Sequence, residues 1–330
     1  MRSGRGQQSF QQSFQQSGYS AMGSASRVAI VGVGEVGGAV AYNLTLNSMA
    51  SELLLVDLDP SARNAQIEDL SDVTYSTNSS TRVRSATYHE AAQCDLVVIT
   101  AASKHMLGQT TIDYTSRNTS MLRGVMEAMK PFRADTVLLI VADPVDLLTS
   151  LAKQMSGLPE SQVFGTGTAL DTYRLRGMIA SRALVSPYTV DAFVVGRHGE
   201  EQVVVWSSAT IGAVPIQDVK MLDSIDRSRI ELICKHRSNQ IILGKGSAPF
   251  GIASVVANLC CSVILDKHEM YPVSYFQEEH GCCLSLPAVI GRKGILNSVP
   301  LATNENESAA VKLSGKLLKA SVESIQRDWW

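Results

Sequence analysis

The stretch Val31-Gly32-Val33-Gly34-Glu35-Val36-Gly37 constrains the fold more than any other part of the chain. It is a G-x-G-x-x-G that follows a strand pattern at Arg27–Val31 and opens an alanine-rich helix. Only glycine lets the backbone turn tightly, approach a pyrophosphate and pack the helix on the strand, while the helix N-terminus offers N–H groups to the anion. Such a glycine pattern also arises in ordinary turns; its weight here comes from the order strand, glycines, helix, strand, acid. Asp57 closes the second strand, Leu53–Asp57, where a carboxylate can accept hydrogen bonds from a ribose diol and repels a 2′-phosphate. NAD is therefore expected over NADP. Asp59, directly ahead of Pro60, is read as the cap of the next helix, which leaves Asp57 for the ligand. Gly32, Gly34, Glu35, Val36, Gly37 and Asp57 are the first candidate cofactor residues.

With 330 residues, 45% of them hydrophobic, the chain can bury a substantial core. A net charge of −2 and scattered basic residues give no electrostatic case for nucleic acid. No apolar run reaches the roughly twenty residues of a membrane span, and the N-terminus lacks the apolar core of a secretory signal. A cytoplasmic protein without membrane or nucleic-acid partners is expected. Of the six cysteines, Cys260-Cys261 and Cys282-Cys283 are adjacent pairs in apolar contexts, and Cys94 and Cys234 stand alone. They read as buried reduced thiols rather than a disulfide or zinc framework. Metal ligation is not expected, because no Cys/His/Asp cluster has ligand spacing.

Residues 1–26, rich in Gln, Ser and Gly, read as a flexible arm. Beyond it, strand patterns at Arg27–Val31, Leu53–Asp57, Arg82–Ala86, Asp95–Thr100 and Thr136–Ala142 alternate with helical stretches, among them Tyr114–Met129. This is the signature of a doubly wound parallel sheet, assigned to residues 27–166. After Asp143-Pro144 the pattern changes, with helices over Leu170–Leu184, Ile225–Leu243, Phe250–Leu265 and Ser308–Asp328. Strands are expected at Thr189–Val195, Gln202–Ile211, Tyr271–Phe276 and Cys283–Ile290. A mixed α+β catalytic domain over 167–330, packed on the first, follows.

Further motifs appear in order: Val97-Val98-Ile99-Thr100-Ala101, Arg117-Asn118, Asp143-Pro144-Val145-Asp146, Gly165-Thr166-Gly167-Thr168, Leu170-Asp171-Thr172-Tyr173-Arg174 and Gly196-Arg197-His198-Gly199. With the glycine loop, they resemble the L-lactate and L-malate dehydrogenase family from Arg27 to the C-terminus. The resemblance implies an NAD-binding Rossmann domain, a homo-oligomer, and hydride transfer between nicotinamide and C2 of a 2-hydroxy or 2-oxo acid. It implies His198 as the acid–base, Asp171 as the carboxylate that fixes its tautomer and Arg174 as the clamp on the substrate carboxylate, with Thr100 and Ala101 at the cofactor.

The chain departs from the family where the substrate would sit. The loop arginine that polarises the reacting carbonyl is replaced by Thr111, and the specificity position, glutamine for lactate and arginine for malate, is His105. The family's asparagine before the proline is Asp143, and its pocket threonine falls at Ala248. Losing one preorganised donor typically costs about 2.7–4 kcal/mol of transition-state stabilisation. The expectation is an NAD-dependent oxidoreductase with a wider, less positive pocket and a bulkier or less anionic substrate, with Lys104 or His105 as substitute polariser. The competing reading is a repurposed non-redox enzyme, an isomerase or cyclase using the His198–Asp171 pair, or an NAD-binding module.

Overall fold

The computed structural model describes residues 26–103 and 111–329. His105, Lys104 and the first 25 residues of the arm lie outside these.

The first half alternates strand and helix: β1 (Arg27–Val31), α1 (Glu35–Leu46), β2 (Glu52–Val56), α2 (Pro60–Thr77), β3 (Arg82–Ser85), α3 (Tyr88–Ala91), β4 (Leu96–Ile99), α4 (Thr111–Met129), β5 (Val137–Ile140), α5 (Val145–Ser156) and β6 (Val163–Gly165). The strands pair in parallel in the order β3-β2-β1-β4-β5-β6. Strands covered on both faces need no polar alternation, and β2, β4 and β5 accordingly carry the runs Leu53–Val56, Leu96–Ile99 and Val137–Ile140, all buried. The period of two distributes them: Val28, Ile30, Leu53 and Leu55 enter one core layer, Ala29, Val31, Leu54 and Val56 the other. Each large side chain so buried contributes about 1.5–3 kcal/mol.

The strand order reverses between β1 and β4, and in such sheets the crevice beyond the carboxyl ends at that point receives the ligand. Gly32, Asp57, Thr100 and Ala101, and Asp143 follow the ends of β1, β2, β4 and β5, so the topology gathers them on one edge.

The second half comprises α6 (Ala169–Ala183), β7 (Val190–Gly196), β8 (Gln202–Ile211), β9 (Val214–Pro215), α7 (Arg227–Lys245), α8 (Pro249–Ile264), β10 (Glu269–Gln277), β11 (Cys282–Gly291), β12 (Gly294–Ser298) and α9 (Glu305–Trp329). Its strands pair antiparallel, and β10 also pairs with β6, at Ser274 and Gly165. The parallel first half and the mixed second half are both present as expected, and among the described residues their strands are hydrogen-bonded into one continuous sheet. A three-residue β6 at the end of a parallel sheet leaves polar backbone that β10 satisfies. The apolar helix α8 reinforces the join by packing on α1.

Expected and observed elements agree in type, with ends shifted by a few residues. Asp57 lies just beyond β2 rather than closing it, because its carboxylate is taken up by turn backbone. β6 and β12, of three and five residues, are too short to carry a readable period. The cysteines are free thiols, all buried except the half-buried Cys261.

Candidate active site

The three glycines divide the work of the loop. Gly32 has φ +93°, and a Cβ there would come within 2.6 Å of the Ala101 backbone. At Gly37 a Cβ would collide with the Gly32 carbonyl and sit 2.8 Å from Thr100 Oγ1, so α1 can meet β1 only with glycine at that position. At Gly34, the N-cap of α1, a Cβ would meet nothing within 4 Å, and no side chain caps the helix. The start of α1 is therefore approachable at Gly34, a place suited to a pyrophosphate. Thr100 Oγ1 hydrogen-bonds the carbonyls of Val31 and Gly32, tying the end of β4 to the loop.

Asp57 is less free than its sequence position implies. Oδ2 accepts from Val33 N–H at 2.7 Å and Oδ1 from Asp59 N–H at 3.0 Å. Each carboxylate oxygen retains further acceptor capacity, so these bonds orient the group without exhausting it. Asp59 is the expected cap of α2, accepting from Ser61 and Ala62 N–H. Gly32, Gly34, Glu35, Val36, Gly37, Asp57, Thr100 and Ala101 line a cleft of about 680 Å³, which Ser103, Tyr114, Asp143 and Ala248 also line. A dinucleotide fits this cradle: an uncapped helix end, a bare Gly34 and an oriented carboxylate stand along one cavity.

His198 stands after β7, in the turn between Gly196 and Gly199, whose φ values are +87° and +102°. Its Nδ1 is 2.7 Å from Asp171 Oδ2. Asp171, in the first turn of α6, is only 1% exposed, and the His198 side chain 27%. Strand and helix are interlocked beside the pair, since Thr172 Oγ1 accepts from Val194 N–H at 2.9 Å. The Asp171 carboxylate stabilises the imidazolium and, against the opposing effect of burial, pushes the His198 pKa up to about 10. The ring is thus held protonated at neutral pH, a proton donor through its remaining nitrogen.

Arg174 lies one turn after Asp171 with 9% of its side chain exposed, so it is no solvated surface residue. Nη1 donates to Ser238 Oγ at 2.8 Å and approaches Asp171 Oδ1 at 3.4 Å. Asp143 is exposed at the cleft, and its charge bears on both His198 and Tyr114. Ala248 lines the same cleft as the N-cap of α8 and, having no side-chain oxygen, makes no cap bond. Thr111 begins α4, and His105 falls outside the described residues.

Two features had no assigned role in the sequence. Asp146, on α5, is 1% exposed; it accepts the His198 backbone N–H at Oδ2 and the Ser285 hydroxyl at Oδ1, each at 2.7 Å. A carboxylate inside the apolar run Val145-Asp146-Leu147-Leu148 was the available signal. Ser314 of α9 accepts from Arg197 N–H at 2.8 Å, and nothing in the sequence marks it. Among the described residues no group of three His, Cys, Asp or Glu could hold a metal ion, and no helix is long and apolar enough to cross a membrane.

Comparison with known proteins follows the same division of the chain. The family model for the NAD binding domain of lactate/malate dehydrogenase matches residues 26–165, and the model for the alpha/beta C-terminal domain matches 168–328. An L-lactate dehydrogenase A of Rhizopus oryzae is 39% identical over 289 residues, covering 87% of this chain and 89% of the relative. An L-lactate dehydrogenase of Thermus aquaticus is 35% identical over 308 residues, covering 91% and 99%. The crystal structure of a minor L-lactate dehydrogenase from Enterococcus mundtii superposes with a TM-score of 0.87 at 29% identity, covering 91% of this chain and 98% of that one. Both halves of the chain thus have their counterparts in one group of enzymes, and the chain belongs to the lactate/malate dehydrogenase family, an NAD-dependent dehydrogenase acting on CH–OH or C=O groups.

Proposed function

We propose that the protein reduces a 2-oxo acid whose side chain is bulkier or less anionic than that of pyruvate or oxaloacetate, and oxidises the matching 2-hydroxy acid in reverse. The observation that carries this reading is the 2.7 Å contact between His198 and the buried Asp171 carboxylate, which favours the imidazolium. NADH, when bound, supplies the hydride. His198 then gives its proton to the oxygen that gains charge, and Asp171 fixes the tautomer and stabilises the imidazolium. Arg174 anchors the substrate carboxylate. Its guanidinium has five N–H donors, so the bonds of Nη1 to Ser238 and Asp171 orient the fork without saturating it. Gly32, Gly34, Glu35, Val36 and Gly37 receive the pyrophosphate, Asp57 the ribose diol, and Thr100 and Ala101 close the floor of the cleft.

The altered substrate rests on the residues at the other end. Asp143 adds negative charge where a second substrate carboxylate would lie, and Ala248 leaves space that a threonine would fill. Thr111 supplies no cation. We assign residues 27–166 to cofactor binding, 167–330 to substrate binding and catalysis, and 1–26 to an arm, in a cytoplasmic protein. We also place the protein in a homo-oligomer. Of α2 only Leu70 is buried, and of α7 only Ile230 and Cys234, while Tyr75, Leu232 and Leu243 are 80%, 58% and 81% exposed. Long helices with so little buried surface gain their stability from a partner.

The test is purified protein with NADH and a panel of 2-oxo acids, followed at the reduced-nicotinamide absorbance. Oxidation of NADH by branched, aromatic or hydroxylated 2-oxo acids faster than by pyruvate or oxaloacetate is expected. Tight NADH binding with no oxidation by any member of the panel overturns the reading.

A further inference from the structure

Resting on that functional reading, we propose that the Tyr114 hydroxyl polarises the substrate carbonyl, doing from α4 what the family's loop arginine does from the position of Thr111. Tyr114 stands one helical turn after Thr111, and its half-buried side chain lines the cleft together with Ser103, Asp143 and Ala248.

A rigid polar frame holds it. Asn118, one further turn along α4 and 1% exposed, hydrogen-bonds the phenol. The same Asn118 donates through Nδ2 to the Asp143 carbonyl at 2.7 Å and accepts through Oδ1 from both the N–H and the hydroxyl of Ser103, each at 2.8 Å. The ends of β4 and β5 and the start of α4 therefore meet at one amide, and the phenol is carried on it. Burial, reinforced by the charge of Asp143, pushes the Tyr114 pKa up to about 12, so the hydroxyl keeps its proton and remains a donor. Phenol and carboxylate thus line one end of the cavity, and the charge of Asp143 also bears on His198.

The step balances without a further reactant. The carbonyl carbon takes the hydride supplied by NADH, and the π pair moves onto oxygen. That oxygen takes the His198 proton, while Tyr114 keeps its own and donates a hydrogen bond. A neutral donor beside the Asp143 carboxylate suits a 2-oxo acid with one carboxylate, held by Arg174, and a side chain that is uncharged or itself carries a donor.

Tyr114→Phe removes the hydroxyl alone. It should lower kcat for reduction of the best 2-oxo acid by about 10–100-fold, somewhat less than loss of a strong preorganised donor. The KM for NADH and the thermal midpoint should stay unchanged. Oxamate, a non-reducible analogue of a 2-oxo acid, should bind the variant's NADH complex about tenfold more weakly than the wild type's, the effect of one lost hydrogen bond of about 1.4 kcal/mol. Unchanged kcat and oxamate affinity overturn the proposal, as does a parallel loss of NADH affinity, which marks a structural role. Should the wild type reduce no 2-oxo acid, the functional reading fails, yet the oxamate comparison still decides the contact: weaker binding to Tyr114→Phe supports it, and equal binding overturns it.

Discussion

The two ends of the cleft are built differently. The cofactor end is almost entirely local: Gly32, Gly34 and Gly37 fall within one strand–turn–helix, and Asp57 follows the adjacent strand. Gly32 and Gly37 are fixed by backbone constraints, a positive φ and close approach at the first and a helix packed on a strand at the second, while Gly34 leaves the helix start open and Asp57 is oriented by the turn backbone. The other end is lined by residues of α4, the turn after β5 and the start of α8, Tyr114, Asp143 and Ala248 among them. To it we assign His198, Asp171 and Arg174, by their resemblance to the family, and Thr111, Asp143 and Ala248 as its points of departure. Backbone geometry demands glycine at Gly32 and Gly37 of the first end, whereas side-chain chemistry can be exchanged at the second without disturbing the fold.

The largest effect that would sharpen this contrast is loss of the proton carrier. His198→Ala should lower kcat for reduction by about 10²–10⁴-fold, the usual worth of a positioned acid–base. NADH binding, set at the other end, should remain within twofold by fluorescence titration; equal loss of both would collapse the distinction. Next is Thr111→Arg, which should raise kcat/KM for pyruvate by about 10²–10³-fold if the loop position alone separates this protein from its relatives. Steady-state assays decide it, and an unchanged rate would move the explanation to Asp143 and Ala248.

A stability effect of about 2–4 kcal/mol is expected for Asp146→Ala, which leaves the His198 N–H and Ser285 hydroxyl without their buried acceptor. Urea unfolding measures it, and a loss under about 1 kcal/mol would mean that water replaces the carboxylate. The smallest effect concerns pH. Because the His198 pKa is raised to about 10, the stability contributed by its pairing with Asp171 is complete below the ordinary histidine value of 6.5 and is lost as pH rises toward 10. The difference in thermal midpoint between wild type and Asp171→Asn should therefore shrink between neutral pH and pH 10. A constant difference across that range would show that Asp171 acts through packing rather than charge.

The parallel strands were legible because burial on both faces writes itself as unbroken apolar runs, and the glycine loop because each glycine answers a local need. His198, Asp171 and Arg174 were legible through resemblance, since spacing alone cannot bring residues 171 and 198 together. The continuity of the sheet through β6 and β10 was not legible, because a three-residue strand has no period and its partner lies 109 positions away at Ser274 and Gly165. Nor was the seat of His198, which depends on Asp146 and Ser314, residues whose role exists only after α5 and α9 have packed.

The amino-acid order by itself determined the doubly wound first half, the nucleotide cradle and the preference for a ribose diol, because these follow from φ angles, hydrophobic period and the charge of single residues close in the chain. Tertiary structure decided that Asp57 is oriented by the loop it serves and that His198 meets a carboxylate that raises its proton affinity. It also decided that Tyr114, Asn118 and Asp143 share one corner of the cleft. Those properties depend on distance and desolvation between segments far apart in sequence, and only the packed chain defines either.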